Sequence, residues 1–442
     1  MEEDISRQVT ISDPIIIPRA EHTISRSVIS QNALKVLYRL KEAGYQACLV
    51  GGCVRDMLLG REPKDFDVST SANPEEVKAL FRNCRLIGRR FRLAHVHFGR
   101  EIIEVATFRA QHRGDEEGGV IEDGMILRDN VYGTIEDDVW RRDFTINALY
   151  YNIEDFSVID YTNGVEDLKA GVLRLIGSPL LRYKEDPVRM LRVVRFASKL
   201  GFRIDADTEA PLGELGYLLA EIPPARLYEE VLKLFLGGNA VQTFELMRHY
   251  DLFKYLFPQT DRCLAGQEGG FPLTLLIHAL TNTDERISQD KPVTPSFLYA
   301  AMLWQPMREL AQQLQEEGMT ELQAIHAASR EVTSEQIRHV ILPRRFGMHM
   351  REIWMLQPRL RRITGKRPLR LVHHPRFRAA YDFLLLRAHA GEDVQDLCDW
   401  WTEFQQTVEA DPQHAVSAEK PKKRSRRPRR KPRAVHASSS GE

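Results

Sequence analysis

The hydrophobic period of the chain changes near residue 180, and this limits its possible folds more than any other feature. Before that point, short apolar runs alternate with amphipathic stretches. Ala47, Cys48, Leu49 and Val50 form a run that ends on Gly51 and Gly52, the pattern of a buried strand entering a tight turn. Upstream, Leu34, Leu37, Tyr38 and Leu40 recur at helical spacing, with Ser30 placed to cap that helix and Gly44 to stop it. A short helix is predicted over 54–59 and a second strand over 66–68. Pro74 opens another helix over 75–81, with Asn73 or Ser71 as cap. Two strands joined near Gly99 are expected over 95–99 and 101–109, and a glycine-rich acidic loop over 114–124. After Asp186, strand-like alternation nearly disappears, and 188–200, 225–236 and 241–250 carry helical periodicity. The pattern predicts an α/β unit followed by a mainly α-helical one.

A chain of 442 residues has room for about two to four domains. Its 43% hydrophobic content is enough to build cores for them. The 62 basic side chains balance the 62 acidic ones, but they are not evenly spread. Residues 415–442 carry a net charge of +8, which leaves −8 for the rest, and 341–378 hold eleven Lys/Arg against one acid. A net charge of zero therefore does not exclude a nucleic-acid partner. From Pro412 on, apolar residues nearly vanish, and such a segment is expected to be disordered. No stretch approaches 18 consecutive apolar residues, so no membrane span is expected, and the acidic start of the chain lacks the apolar core of a secretory signal. The five cysteines include no CxxC pair, which argues against a disulfide framework or a cysteine zinc site and for free thiols in a reducing, cytoplasmic setting.

The densest chemical signal joins Gly51-Gly52-Cys53-Val54-Arg55-Asp56 to Asp65-Phe66-Asp67. On a strand, residues i and i+2 face the same way, so Asp65 and Asp67 would stand side by side with Phe66 turned inward. Two such carboxylates repel unless a cation joins them. Mg²⁺ suits the role because it takes oxygen ligands and shares its shell with substrate phosphates. A solvent-facing acidic strand would also explain the pair taken alone. The glycines add a backbone that phosphates can approach closely, with Arg55 and Asp56 within reach of a triphosphate and a sugar hydroxyl. A third carboxylate is expected on a neighbouring strand. Glu104, inside the apolar run 102–106, is the preferred candidate, and Glu101, Glu136 and Asp143 are the others. The acidic cluster 136–138 is either a solvated face or, since it borders Arg141 and Arg142, a group that orients them. His373 and His374 lack a further ligand at metal spacing.

These elements run in one order: the glycine turn, Asp65-Phe66-Asp67, then Arg141-Arg142-Asp143-Phe144-Thr145-Ile146-Asn147-Ala148-Leu149, then Glu185-Asp186-Pro187-Val188-Arg189-Met190-Leu191-Arg192. Together they resemble the class II nucleotidyltransferases of the DNA polymerase β superfamily, which comprise CCA-adding tRNA nucleotidyltransferases and bacterial poly(A) polymerases. The resemblance implies an α+β multidomain fold: an N-terminal arm (1–28), a nucleotidyltransferase head on a mixed sheet (29–180), a helical neck that recognises the base and binds RNA (181–255), a helical body with the basic RNA-binding region (256–411) and a disordered basic tail (412–442). It implies that Asp65 and Asp67 hold two Mg²⁺ ions, with Glu104 or Glu136 as further catalytic carboxylates. Gly51, Gly52, Arg55, Asp56, Arg142, Asp143 and Asn147 would position ATP, and Asp186 and Arg189 would read its base. A carboxylate accepts from adenine N6 or cytosine N4 and a guanidinium donates to adenine N1 or cytosine N3, so the pair admits A and C and refuses G and U.

The segment Gly88-Arg89-Arg90-Phe91-Arg92-Leu93 resembles an element that marks bacterial poly(A) polymerases within the class, and the +8 tail resembles their basic extension. Ala225-Arg226-Leu227 sits in a neck similar to theirs. The implied partners are ATP and single-stranded RNA 3′ ends, with RNA-decay or helicase proteins as candidates for the tail. Arg359 to Arg378, with Trp354 nearby, is a candidate single-strand track. A CCA-adding enzyme, or an RNA-binding scaffold with an inactive head, remains the alternative.

Overall fold

The computed structural model describes residues 13–88, 92–110, 119–122, 125–129, 131–265 and 271–410. The basic tail and Arg89, Arg90 and Phe91 of the arginine element lie outside the described residues. The N-terminal half forms a mixed sheet. Its first six strands are β1 (Ile15–Ile17), β2 (Ala47–Val50), β3 (Asp67–Thr70), β4 (Cys84–Ile87), β5 (Leu93–Phe98) and β6 (Glu101–Thr107). A separate two-stranded pair follows, β7 (Gly119–Glu122), within the stretch expected to be a loop, and β8 (Met125–Asp129), just after it. The main sheet then resumes with β9 (Leu149–Asn152) and β10 (Val158–Asp160), giving the order β1-β10-β9-β2-β3-β6-β5-β4. Only β3 and β6 pair in parallel; every other neighbouring pair in the sheet is antiparallel. The arm expected over 1–28 is therefore only partly an arm, because β1 adds its three residues to the sheet edge beside β10.

The helices of the head are α1 (Gln31–Glu42), α2 (Gly52–Leu58), α3 (Pro74–Leu80), α4 (Ile135–Arg141) and α5 (Gly164–Ala170). Ser30 caps α1 by accepting from the Asn32 and Ala33 amides at 3.1 and 3.4 Å. Its hydroxyl also donates to Glu101, which takes a second bond of 2.6 Å from Asn32. Glu101 is thereby used to fasten α1 to β6 and is withdrawn from the list of third carboxylates. Asn73 and Glu76 form a reciprocal cap at the start of α3, with Pro74 in its first turn.

The helical half begins with α6 (Pro179–Glu185) and α7 (Val188–Leu200), and described helices continue to Ala410. A parallel pair of two-residue strands, Val172–Leu173 and Arg203–Ile204, ties the segment after α5 to the segment after α7. One apolar core runs from the head into the helices, with Val68, Leu149, Leu191, Val231 and Trp354 all within it. Burying large apolar side chains across that junction, at about 25 cal/mol per Å², makes head and helices a continuous solid. A second cluster, around Leu360, Phe377, Tyr381 and Trp401, seats the last helices. Trp354 is fully buried and donates to the Ala300 carbonyl at 3.1 Å, so the aromatic ring expected beside a single-strand track belongs to the core instead.

Candidate active-site cleft

The strand β2 delivers the chain to Gly51, whose φ of +76° is a left-handed value that favours glycine. Its amide donates to the Leu149 carbonyl at 3.2 Å, which pins the turn to β9. The next strand along the sheet, β3, starts at Asp67 rather than at Phe66. Phe66 is buried as expected, while Asp65 lies in the extended lead-in and is exposed. The parallel register then sets Asp67 directly opposite Glu104 of β6. Burial, Glu104 and Asp65 push the Asp67 carboxyl up to about 6, against a downward pull from Arg142. Side chains separated by 37 residues in sequence thus form one repelling carboxylate cluster, the electrostatic condition a divalent cation relieves. His95, opposite Glu104 on β5, contacts Glu104 Oε2 through Nε2 at 3.2 Å and limits its freedom. Among the described residues no three His, Cys, Asp or Glu side chains meet closely enough to hold a metal on their own. The cluster offers part of a coordination shell and leaves the remainder for phosphate oxygens and water.

Asp67 and Glu104 line an open cleft of about 370 Å³, together with Ser69, Arg109, Arg141, Arg142, Asp186 and Arg189. Arg109, Arg141 and Arg142 crowd one stretch of its wall. Arg142 donates to Asp138 at 2.8 Å, to the Tyr150 hydroxyl at 2.8 Å and to Ser69 at 3.2 Å, and Tyr150 itself donates to Asp138 at 2.6 Å. Burial alone would lower the Arg142 pKa, but Tyr150 and Asp138 more than reverse it and hold the charge on. Two neighbours are shifted the other way. Burial and Arg109 push Arg141 down to about 9, and burial is the main cause of a lowered Arg109. Guanidiniums gathered in a partly buried wall are suited to a polyanion.

The cluster Glu136-Asp137-Asp138 divides by helical phase. Asp137 caps α4 at Thr134, and Asp138 turns into the sheet to orient Arg142. Glu136 is not brought to the cleft; its charge bears on Tyr161 instead. Asp143 is also withdrawn from the carboxylate cluster. Its oxygens accept from Arg192 at 2.6 Å, from the Phe144 amide at 2.9 Å and from Asn147 at 3.4 Å, and Arg192 outweighs burial to keep its pKa low. Asn147 accepts from Arg55 at 2.7 Å, and Arg55 donates twice to Asp56. Arg55 is 2% exposed. The predicted residues Asp56, Arg55, Asn147 and Asp143 therefore form one relay that ends on Arg192 of α7, bracing the glycine turn from behind rather than reaching into the cleft.

Asp186 and Arg189 do line the cleft, but each is held by a partner that the motif spacing does not reveal. Asp186 accepts from Arg226 at 2.6 Å and from the Val188 amide at 3.3 Å. Arg189 donates to Glu185 at 2.6 Å and to the Arg182 carbonyl at 2.8 Å. Arg182 in turn clamps the Arg141 and Arg142 carbonyls at 3.0 and 2.6 Å, linking α6 to the end of α4. Glu185 and Arg226 were visible in the sequence as charged neighbours of motifs. Nothing in one sequence shows that they pair with Arg189 and Asp186.

Comparison with known proteins finds relatives along nearly the whole chain. The family model of the poly A polymerase head domain matches residues 47–174. That of the probable RNA and SrmB-binding site of polymerase A matches 201–264, and the arginine-rich C-terminus of polymerase A matches 317–434. Poly(A) polymerase I of Escherichia coli O6:H1 is 51% identical across 97% of this chain and 95% of its own length. Poly(A) polymerase I of Haemophilus influenzae is 46% identical across 96% of this chain and 97% of its own. Among solved structures, the Bacillus stearothermophilus CCA-adding enzyme in complex with CTP is similar, with a TM-score of 0.59 and 26% identity over 86% of this chain and 82% of that one.

Proposed function

The chain belongs to the poly(A) polymerase family, and we propose that it adds AMP from ATP to RNA 3′ ends without a template, in the cleft between β3, β6 and α7. The observation that carries the reading is the pairing of Asp67 with Glu104 opposite Arg109, Arg141 and Arg142 in one cleft. A carboxylate cluster facing a guanidinium wall matches a reaction in which a hydroxyl attacks a phosphoryl group held by its charge. Asp65 and Asp67 would hold divalent metal, two Mg²⁺ ions in the full reading, which lowers the pKa of the attacking 3′-hydroxyl and stabilises charge on the departing pyrophosphate. Glu104 would supply further negative charge and, with His95, fix the position of the cluster.

Arg142 keeps its charge through Asp138 and Tyr150 and would bind triphosphate oxygens, with Arg109 and Arg141 beside it. The glycine turn gives the phosphates close access to backbone, and the Asp56–Arg55–Asn147–Asp143 relay keeps that turn in place. Asp186 would accept from the adenine N6 amine, since its carboxylate has lone pairs beyond those taken by Arg226 and Val188. Arg189 would donate to adenine N1. A cytoplasmic setting agrees with four of the five free thiols being buried and with no described helix long and apolar enough to cross a membrane. The helical half, where the RNA-binding and arginine-rich family models match, would hold the RNA.

The test is Asp67→Asn, which keeps the shape and removes the charge. AMP transfer from labelled ATP to an oligoadenylate primer should fall by about 10³-fold or more, because metal charge stabilisation is worth several kcal/mol. RNA affinity should stay within about twofold. Retained transfer would overturn the metal assignment. Supplying all four NTPs to a tRNA that ends before CCA separates the branches: growth of a long A tract supports polyadenylation, and a stop after CCA supports the other.

A further inference from the structure

The sheet beside the cleft carries one row of side chains that the proposed reaction uses only in part. Register places Asp67 of β3 opposite Glu104 of β6, Glu104 opposite His95 of β5, and His95 opposite Arg85 of β4. Residues directly opposite one another on neighbouring strands project from the same face of a sheet. The row therefore runs from the carboxylate cluster to an exposed arginine on the edge strand.

Glu104 is the member of that row with a choice of direction. Its side chain is 42% exposed, so the sheet leaves it room to turn. Its charge also bears on Arg109 of the guanidinium wall. A full ion pair there would draw Glu104 from Asp67 and cancel a cation placed for the triphosphate. His95 supplies the competing hold from the neighbouring strand. Its Nε2 lies 3.2 Å from Glu104 Oε2. An ionised carboxylate only accepts, so the contact is attractive with the imidazole proton on Nε2. The imidazole is itself restrained: its side chain is 21% exposed, and the His97 ring stands edge-on to it, with centroids 6.3 Å apart.

We propose that His95 is a positioning residue for nucleotidyl transfer, whose Nε2–H keeps Glu104 beside Asp67 and prevents it from pairing with the guanidinium wall. This role rests on the reading of Asp67 as part of a divalent-cation seat. His95 touches neither substrate and moves no proton. With Oε2 held, the charge of Glu104 stays with the cation seat, and the wall keeps its charge for phosphate. Partners that orient a metal-site carboxylate in this way are typically worth about 10–100-fold in metal affinity or activity.

The experiment uses the full chain and compares wild type with His95→Gln, whose amide reaches the same oxygen, and His95→Leu, which fills the space without a donor. Mn²⁺, which takes the same oxygen ligands as Mg²⁺, is titrated into each protein without ATP, and free Mn²⁺ is read by electron paramagnetic resonance. His95→Leu should weaken Mn²⁺ binding by about tenfold, and His95→Gln should return it to within about threefold of wild type. AMP transfer to an oligoadenylate primer is measured alongside. His95→Leu should raise KM for ATP by about fivefold, the worth of one ion pair between the released Glu104 and the wall. Adding Glu104→Gln to His95→Leu should bring that KM back down, because the neutral amide cannot form the pair. Mn²⁺ binding by the double variant should match that of Glu104→Gln alone. Thermal melting should be unchanged throughout; if His95→Leu unfolds, His95→Asn, whose amide is too short to reach Oε2, replaces it. Additive losses in the double variant would overturn the proposal, and so would wild-type Mn²⁺ binding in folded His95→Leu. If wild type binds Mn²⁺ no better than Asp67→Asn, the cation seat itself fails, which is a different outcome from a seat that binds Mn²⁺ and ignores His95.

Discussion

The head cleft and the basic stretch of the helical body are both rich in arginine, yet they treat the charge in opposite ways. In the body, cations are matched one at a time at the surface. Arg378 pairs with Asp382 at 3.0 Å, Arg376 with Glu352 at 3.2 Å, and Arg361 with Glu321. Each pair is well hydrated, and exposed pairs of this kind are worth about 0–1 kcal/mol. In the cleft, Arg109, Arg141 and Arg142 are gathered into one partly buried wall, facing acids that are themselves crowded together. In the proposed reading that charge serves a substrate, while Asp138 and Tyr150 hold Arg142 in place for it. A high arginine count can therefore mean loose RNA capture in one region and chemistry in another, and burial tells them apart.

The sharpest way to break the comparison is to remove a cleft partner. Asp138 is 8% exposed and holds Arg142 together with Tyr150. Asp138→Asn leaves a buried guanidinium without its counter-charge, which should cost about 3 kcal/mol of stability. With Arg142 free to turn away, AMP transfer should fall by about 10²-fold, mostly as a raised KM for ATP. Denaturant melts and initial rates check both. A melt shifted by less than about 0.5 kcal/mol would place Asp138 among the ordinary surface acids.

Acid should expose the same contrast more gently. The Asp67 carboxyl is raised to about 6, so its folded-state pKa lies above its unfolded one. For the metal-free protein, the stability tied to the protonated carboxyl is present below the unfolded pKa and is lost as pH rises through about 6. Metal binding has the opposite sign, because a proton on Asp67 competes with the cation. The Mg²⁺ concentration for half-maximal transfer should therefore rise by about tenfold per pH unit below about 6. Above pH 7 it should be flat. A flat profile across pH 5 to 7 would remove Asp67 from the cation site. RNA binding by the body should show no step with that midpoint.

Much of this contrast was legible in the sequence, and the illegible part has one cause. Contiguous pattern was enough to find the strand at Ala47–Val50, the helix at Val188–Leu200 and the pair Asp65 and Asp67, because period and spacing are local properties. Glu104 could be singled out because an acid inside an apolar run needs a reason to be there. Partnerships across the fold could not be read. Asp138 meets Arg142 through helical phase, Asp186 meets Arg226 across 40 residues, and Trp354 turns inward through helix packing. Asp56 and Arg55 looked like groups aimed at a triphosphate, yet they face each other, because one residue of spacing on a short helix does not fix which side-chain atom bonds which. Motifs thus pointed to Asp67, Glu104, Arg142, Asp186 and Arg189 of the cleft but not to Ser69 or Arg109, and packing assigned the partners.

The smallest effect is expected where charge looks most abundant. Arg378 is 74% exposed on its side chain and pairs with Asp382, one helical turn away. Its guanidinium also lies 5.7 Å from the Tyr381 ring, a contact that water can replace. Arg378→Ala should change stability by less than about 0.5 kcal/mol and leave KM for ATP unaltered. If the body grips RNA through such residues, RNA affinity should weaken only slightly, and the slope of log affinity against log salt should drop by about 0.7 for one lost phosphate contact. That slope is the measurement that matters, because it counts phosphates independently of chemistry. A drop in AMP transfer at saturating RNA would mean that the body's arginines take part in the reaction, and burial would no longer separate the two regions.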